Sequence, residues 1–237
     1  VPADFQAESV EHMGMSYRSC TQARPENNFE RSLRILEKTL EYSRRYADFF
    51  PEKDHLIDPL IAITDEGVTG ADLRLLFGEL CDALVPMVEE IAQRPAVDDS
   101  YLYQHYPQEE QLRFGLDIVE RFGYDLDRGR EDLSAHPVTS ASGLDDVRIT
   151  TRVQDNNLKE ALFGTLHEAG HAIYTQNIRK ELESTPIGRG ATYGVHESQS
   201  RFWENIVGRS RPFWEFAYPR LQRVFPEQLG EVPLDSC

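Results

Sequence analysis

The sequence predicts a mainly helical fold with one small β-sheet. Apolar residues recur every three or four positions along most of the chain, which is the period of an amphipathic helix. Only residues 147–153 alternate between apolar and polar with period two and are rich in β-branched side chains, as in a half-buried strand. We therefore expect one mainly helical domain over 1–237, with a helical scaffold over about 1–125 and a second part, 126–237, that contains the strand.

Three helices are predicted in the scaffold. The first covers 28–50, where apolar residues recur on one side. The second begins after Thr69, because a threonine with Asp72 three positions later is a variant of the capping box. The third begins at Pro107, since proline suits the first helical position, and ends at Gly123, since glycine often follows the end of a helix.

The second part is predicted to alternate between loops and helices. Segment 125–143 is polar and turn-rich, so we expect it to be irregular. A glycine-rich loop is expected over 184–194. The predicted helices cover 157–180, 196–208 and the segment that begins at Pro212.

Charge and composition exclude several classes of function. The formal net charge of −16 argues against nucleic acid, whose phosphates need a basic surface, and against an anionic membrane. No apolar run approaches the ~20 residues that cross a bilayer, and we see no basic-then-apolar leader at the start. The cysteines Cys20, Cys81 and Cys237 are widely spaced without a CxxC pair, which favours reduced thiols and a cytoplasmic location.

The sequence His167-Glu168-Ala169-Gly170-His171 is the strongest chemical signal. Two histidines four positions apart project from the same side of a helix, so both imidazoles can bind one zinc ion at roughly 2.0–2.1 Å. Glu168 stands beside that ion, where it can act as a general base toward water. Gly170 leaves room either for substrate or for a closely packed neighbour.

A catalytic zinc site needs a third protein ligand and an open place for water. A further histidine in the order HExxHxxGxxH is excluded, because Tyr174 and Asn177 occupy its glycine and histidine positions. Glu197 begins the helix after the glycine-rich loop and is the expected third ligand. His196 stays open as a ligand in its place, as a partner behind the ligands, or as a substrate contact.

Other residues are candidates for supporting roles. Asp146 and Glu204 are candidate hydrogen-bond acceptors behind the ligating histidines. Arg148, Tyr193 and Arg201 are candidate donors to the oxyanion that forms when water attacks a peptide carbonyl. In this mechanism the general base takes a proton from water and passes it to the leaving amine.

Four strings in matching order and spacing resemble the M32 metallocarboxypeptidases. They are His136-Pro137, Asp146-Val147-Arg148-Ile149-Thr150-Thr151, the HEAGH string at 167–171, and His196-Glu197-Ser198-Gln199. The resemblance covers roughly 25–232. It implies a helical zinc-peptidase domain with a small sheet and a deep groove beside the HExxH helix, a peptide substrate, and a homodimer.

The resemblance also implies roles for single residues. It assigns metal ligation to His167, His171 and Glu197, the general base to Glu168, and groove positions to His136, Pro137, Asp146, Arg148 and Thr150. Val138 departs from the family, which has phenylalanine there. Family members run to roughly twice this length, well beyond a usual single domain, and two further motifs, IRxxAD and GxxQDxHW, are absent. We therefore expect an internal fragment of the family fold.

Three functions stay open from the sequence. The first is a zinc carboxypeptidase, with cobalt as an alternative metal. The second is a zinc endo- or oligopeptidase, which would lack a clamp for the substrate's terminal carboxylate; Arg148, Arg189 and Arg201 are the available arginines for such a clamp. The third is an inactive metal-binding fragment that needs other parts of the fold, which an exposed apolar surface would favour.

Overall fold

The computed structural model describes residues 1–236. The chain divides into two compact units, Val1–Arg94 and Pro95–Cys237. The boundary lies some thirty residues before the one expected near residue 125. Compactness alone does not decide whether the units fold separately, so the single domain stays a prediction. None of the helices within residues 1–236 combines the length and the apolar character needed to span a membrane.

The first unit is helical. Its helices are α1 (Ala3–Ala23), α2 (Phe29–Asp48), the short α3 (Asp58–Ile61) and α4 (Gly70–Ala92). The ring of Phe5 in α1 lies against Tyr42 and Phe49 of the α2 region, which joins the two helices. Helix α1 was not predicted from the sequence, because its few apolar residues do not form a continuous stripe.

Helix α4 begins as the sequence predicts and leaves much apolar surface uncovered. The Thr69 hydroxyl accepts from the Asp72 amide, and the Asp72 carboxylate accepts from the Thr69 amide, which completes the capping box. Nine large apolar side chains of α4 are exposed. They are Leu75, Leu76, Phe77, Leu80, Leu84, Val85, Met87, Val88 and Ile91, which we call the apolar surface of α4.

The second unit contains the sheet and the helices around it. Its α-helices are α5 (Gln108–Phe122), α6 (Leu158–Gln176), α7 (Tyr193–Arg201), α8 (Arg211–Val224) and the short α9 (Pro226–Leu229). Helix α5 ends at Gly123, whose φ of 105° lies in the left-handed region that favours glycine. Helix α7 continues into a π-helical turn over Phe202–Val207. The predicted helices of this part are thus confirmed, with shifted ends.

Three short strands form the sheet in the order β1-β3-β2. They are β1 (Glu131–Leu133), β2 (Val138–Gly143) and β3 (Asp146–Thr151). Strand β1 pairs with β3 in parallel and β2 pairs with it antiparallel. The prediction that 125–143 is irregular is therefore wrong for β1 and β2. Both are too short or too poor in apolar residues to be recognised alone, and their pairing with β3 makes them strands.

The sheet lies directly beside α6, as the family resemblance implies. Val147 and Ile149 of β3 are fully buried, and so are Leu166 and Ala169 of α6. Helix α5 packs against α6 as well, so that α6 is enclosed by the sheet and by a neighbouring helix. The predicted fold class, mainly helical with a small sheet beside the HExxH helix, is confirmed.

One carboxylate of the sheet is buried with an incomplete set of partners. Glu131 in β1 accepts a hydrogen bond of 2.6 Å from the Thr165 hydroxyl of α6 through Oε1. Its other oxygen, Oε2, is buried and has no hydrogen-bond partner within the described structure. Burial raises the pKa of Glu131 from 4.5 to about 7, against the opposing effect of Thr165.

We expect Glu131 to make the protein less stable as pH rises from about 4.5 to about 7. Within this window the folded state binds more protons at Glu131 than the unfolded state, so the free energy of unfolding falls as pH rises. The difference between the two pKa values corresponds to roughly 3 kcal/mol at most. Glu131→Gln should therefore be more stable than the wild type at pH 8 and no more stable at pH 4. Urea unfolding at both pH values measures this, and equal pH dependence of the two proteins would contradict it.

Candidate metal centre

Helix α6 carries both histidines of the HExxH motif. It begins at the predicted cap, because the Asn157 side chain accepts from the Lys159 amide. His167 and His171 lie one turn apart on α6, and their rings are 5.0 Å apart in an edge-on arrangement. The side chain of Glu168 is buried, whereas His167 and His171 are partly buried.

Helix α7 brings the third candidate ligand. Thr192 caps its N-terminus, because the Thr192 hydroxyl accepts from the Val195 amide. Helix α7 lies very close to α6 at Gly170. A Cβ atom at that position would lie 2.6 Å from the Cα of Ser200 and 2.8 Å from the carbonyl oxygen of Gln199. The missing side chain of Gly170 therefore allows close helix packing, which resolves the alternative that the sequence left open.

The ligand atoms of His167, His171 and Glu197 converge. They all lie within 4.8 Å of one another. The carboxylate oxygens of Glu197 are 3.8 Å from His167 Nε2 and 3.7 Å from His171 Nε2. Ligands at zinc–ligand distances of about 2.0–2.1 Å in a tetrahedron are roughly 3.3 Å apart. The three side chains thus fit one small divalent ion with minor adjustment.

Glu204 lies behind His167. It is a buried residue of the π-helical turn, and its Oε2 is 2.9 Å from His167 Nδ1. Arg201 and Arg209 donate to the same carboxylate at 3.2 and 3.1 Å. Burial acts to raise the pKa of Glu204, but the hydrogen bonds from His167 and Arg209 hold it below the usual value. An ionised acceptor at Nδ1 orients the ring so that Nε2 faces Glu197.

His196 lies behind His171. The two Nδ1 atoms are 3.1 Å apart, and the ring of Tyr174 meets the ring of His196 edge-on. Burial lowers the pKa of His196 and, with the nearby His167, lowers that of His171 to about 4. Both imidazoles are therefore neutral at pH 7, which is the form of histidine that binds metals. Three roles were left open for His196, and its position fits that of a hydrogen-bond partner of the candidate ligand His171.

Glu168 is held by the sheet. The Thr139 hydroxyl of β2 lies 2.7 Å from Glu168 Oε2 and 2.8 Å from its main-chain oxygen. Burial raises the pKa of Glu168, against the hydrogen bond from Thr139. Thr139 was not among the residues predicted from the sequence. It stands two positions after Pro137, but it lies in a strand that the sequence did not predict.

A groove of about 1190 Å³ is lined in part by the three candidate ligands and by Glu168. Its lining includes residues of β2 and the preceding turn, most of residues 183–189, and Tyr193. His136 and Pro137 line the groove as the resemblance implies. Tyr193 is also the one candidate oxyanion donor among the side chains that line it, as far as residues 1–236 are concerned.

Three residues expected in the groove lie elsewhere. Within the described chain, Asp146, Arg148 and Thr150 are not among the side chains that line it. Asp146 and Arg148, at the start of the central strand β3, form a partly exposed ion pair with two hydrogen bonds of 2.7 and 3.0 Å, so Asp146 is not an acceptor behind a histidine. The Thr150 hydroxyl accepts from Ser134 and from the Val138 amide, and so fixes the turn that carries His136.

Arg201 lies beside the carboxylates of the site. Its Nη1 donates to Glu204, and its Nε is 3.6 Å from Glu197 Oε2. Its charge is thus already matched by two acidic residues. Arg201 therefore stabilises Glu204, the hydrogen-bond partner of His167, and is poorly suited to bind a substrate oxyanion.

The sequence profile of the carboxypeptidase Taq (M32) metallopeptidases matches residues 1–237. The chain belongs to the M32 metallopeptidase family. Among curated relatives, it is 37% identical over 216 residues to carboxypeptidase 1 of Bacillus subtilis, a match that covers 91% of this chain and 43% of the relative. It is 40% identical over 227 residues to thermostable carboxypeptidase 1 of Thermus thermophilus, which covers 91% and 44%. The chain therefore spans about half the length of the curated relatives it matches.

Solved structures of the M32 family have the same fold. The M32 carboxypeptidase of Deinococcus radiodurans superposes with a TM-score of 0.89 at 44% identity, over 100% of this chain and 48% of that one. A structure of Pyrococcus furiosus carboxypeptidase, described as apo with magnesium, superposes with a TM-score of 0.88 at 32% identity over the same fractions. The family is one of metal-dependent peptidases, which agrees with the converging ligand atoms.

We expect Gly170→Ala to weaken zinc binding by about 10- to 100-fold, the range found when support around a metal ligand is lost. The added Cβ collides with the backbone of α7, which must move and carry Glu197 away from the histidines. Gly164→Ala is the matched control on the same helix, because its Cβ would meet nothing closer than the Thr151 hydroxyl at 3.4 Å. Zinc titration against a competing chelator measures both variants. Wild-type affinity in Gly170→Ala would contradict the role of close packing.

Proposed function

We propose that the protein is a zinc-dependent metallocarboxypeptidase that removes C-terminal residues from peptides. The observation that carries this proposal is the convergence of His167, His171 and Glu197, with Glu168 beside them in a groove. Membership of the M32 family supports the reaction class, and the curated relatives are named carboxypeptidases. Because the chain spans only part of those relatives, their activity is a proposal for this protein.

The donor set favours zinc. Two neutral imidazoles and one carboxylate are typical of catalytic zinc sites, whereas magnesium prefers an all-oxygen shell. Cobalt accepts the same donors and is the alternative metal. A bound zinc ion would supply polarisation of the scissile carbonyl and increased acidity of water. Glu204 and His196 orient the two imidazoles for this ion through their contacts with Nδ1.

Glu168 moves the proton in this proposal. Its carboxylate takes a proton from the attacking water and donates it to the leaving amine when the peptide bond breaks. Burial of the side chain keeps bulk water from competing for this proton and makes a transient carboxylic acid easier to form. Tyr193, which also lines the groove, is the proposed donor to the developing oxyanion.

Glu168→Gln should abolish hydrolysis while zinc stays bound. Glutamine keeps the shape of the side chain but cannot accept the proton, so we expect kcat to fall at least about 100-fold, as for a lost general base. The zinc dissociation constant should stay within about threefold. Glu120→Gln, which changes an exposed carboxylate on α5, is the control. Hydrolysis at the wild-type rate in Glu168→Gln would remove this residue from the mechanism.

A carboxypeptidase must also recognise the terminal carboxylate of its substrate, and arginine is the usual partner. Among residues 1–236, Arg189 is the one lysine or arginine that lines the groove. The other two candidate arginines are paired, Arg148 with Asp146 and Arg201 with Glu204. We propose that Arg189 holds the terminal carboxylate. An endo- or oligopeptidase would not need this contact.

Arg189→Gln should raise KM for an N-blocked dipeptide about 10- to 100-fold, the effect of losing one charge-assisted hydrogen bond. The same substrate with an amidated C-terminus should be a poor substrate of both proteins. Arg179→Gln removes an exposed arginine that does not line the groove and is the control. Cuts within internally quenched peptides at the rate of terminal cleavage would favour the oligopeptidase instead.

We propose further that the protein is cytoplasmic and forms a homodimer. Cys20 and Cys81 are free and exposed, as expected in a reducing compartment, while Cys237 lies outside the described residues. The apolar surface of α4 is large enough to need a covering partner. That surface is also what an inactive fragment would expose, and turnover by the purified protein distinguishes the two. Sedimentation as a monomer at micromolar concentration would contradict the dimer.

A further inference from the structure

We propose that Thr139 is the positioning residue of the general base, and that its hydroxyl fixes which oxygen of Glu168 faces the attacking water. This inference rests on the proposed role of Glu168. It concerns a residue of the sheet that is separate from the candidate metal ligands.

Thr139 is itself held in place. It lies in β2, where it pairs with Ile149 of β3 in the antiparallel ladder. Ile149 is fully buried against the core. The backbone of Thr139 therefore moves little relative to α6, and its hydroxyl is presented to Glu168 at a fixed place. A surface side chain with free rotamers would not give this constraint.

The hydroxyl contacts the base directly. Oγ1 lies 2.7 Å from Glu168 Oε2 and 2.8 Å from the main-chain oxygen of the same residue. A hydroxyl has one proton to donate, and an ionised carboxylate is the stronger acceptor, so donation to Oε2 is favoured. That choice also leaves the main-chain oxygen available for the helical hydrogen bond of α6.

The two oxygens of Glu168 are therefore not equivalent. Oε2 is bound by Thr139, whereas no residue of the described chain donates a hydrogen bond to Oε1. Glu168 lines the groove. Oε1 is thus the oxygen that remains free to accept a proton, and Thr139 prevents the carboxylate from rotating away from the reacting water.

Such control of orientation affects the chemical step more than binding. A misplacement of about 1 Å of a catalytic group can cost about 100-fold in rate. Thr139, like its neighbour Val138, lines the groove. If its role were only steric, a substitution there would change how tightly the substrate binds. A role in orienting the base predicts a loss in kcat with little change in KM.

The test compares three variants of the whole protein. Thr139→Val removes the hydroxyl and keeps the shape, and Thr139→Ser keeps the hydroxyl. Thr151→Val is the matched control, because that threonine of β3 also donates to α6 but only to the carbonyl oxygen of Ala161. We expect Thr139→Val to lower kcat about 10- to 100-fold, with KM and zinc affinity within about threefold. Thr139→Ser should keep at least about half of the wild-type kcat, and Thr151→Val should not lower kcat.

Crystal structures of the zinc-free variants give a readout that does not depend on activity. The carboxylate of Glu168 should leave its position in Thr139→Val and keep it in Thr139→Ser. Wild-type kcat in Thr139→Val, an equal loss in Thr139→Ser, or a change confined to KM or zinc affinity would each overturn the inference. The proposed function fails separately, if Glu168→Gln hydrolyses peptides as fast as the wild type.

Discussion

The site depends on how closely α7 packs against α6. The histidines come from one helix and need no tertiary structure to lie on the same side. The third candidate ligand comes from a different helix, so its distance from the imidazoles is set by the separation of two backbones. At Gly170 the backbone of α7 occupies the space where a side chain would lie. This contact brings the carboxylate of Glu197 within 4 Å of both Nε2 atoms.

The two histidines have different partners behind them. Glu204, with Arg201 and Arg209 donating to it, gives His167 an anionic acceptor, whereas His171 faces a neutral imidazole. An anionic partner makes an imidazole a stronger electron donor. His167 is therefore expected to bind the metal more strongly than His171. The arginines keep the buried carboxylate from carrying an uncompensated charge, which is the condition for burying it at all.

The sequence predicts features that depend on local spacing and misses those that depend on pairing between distant segments. The capping box at Thr69 and the histidine pair were predictable, since each involves residues within one turn of a helix. Strands β1 and β2 were not, because they exist only through β3. The same limit hid Thr139, whose partner lies 29 positions away. Asp146 is a different case, because its carboxylate forms an exposed ion pair with Arg148 only two residues away and does not contact a histidine.

The proposed base and the third candidate ligand are thus positioned by separate parts of the fold. The sheet holds Glu168 through a hydroxyl of β2, while α7 holds Glu197 through close backbone packing. Both parts contact α6 but act on different residues of it. Burial raises the pKa of Glu168 and the charge of Glu197 raises it further, so the two side chains interact and the free-energy effects of altering them need not add. The supporting parts of the fold are thus separate, whereas the two carboxylates that they position are close enough to influence each other.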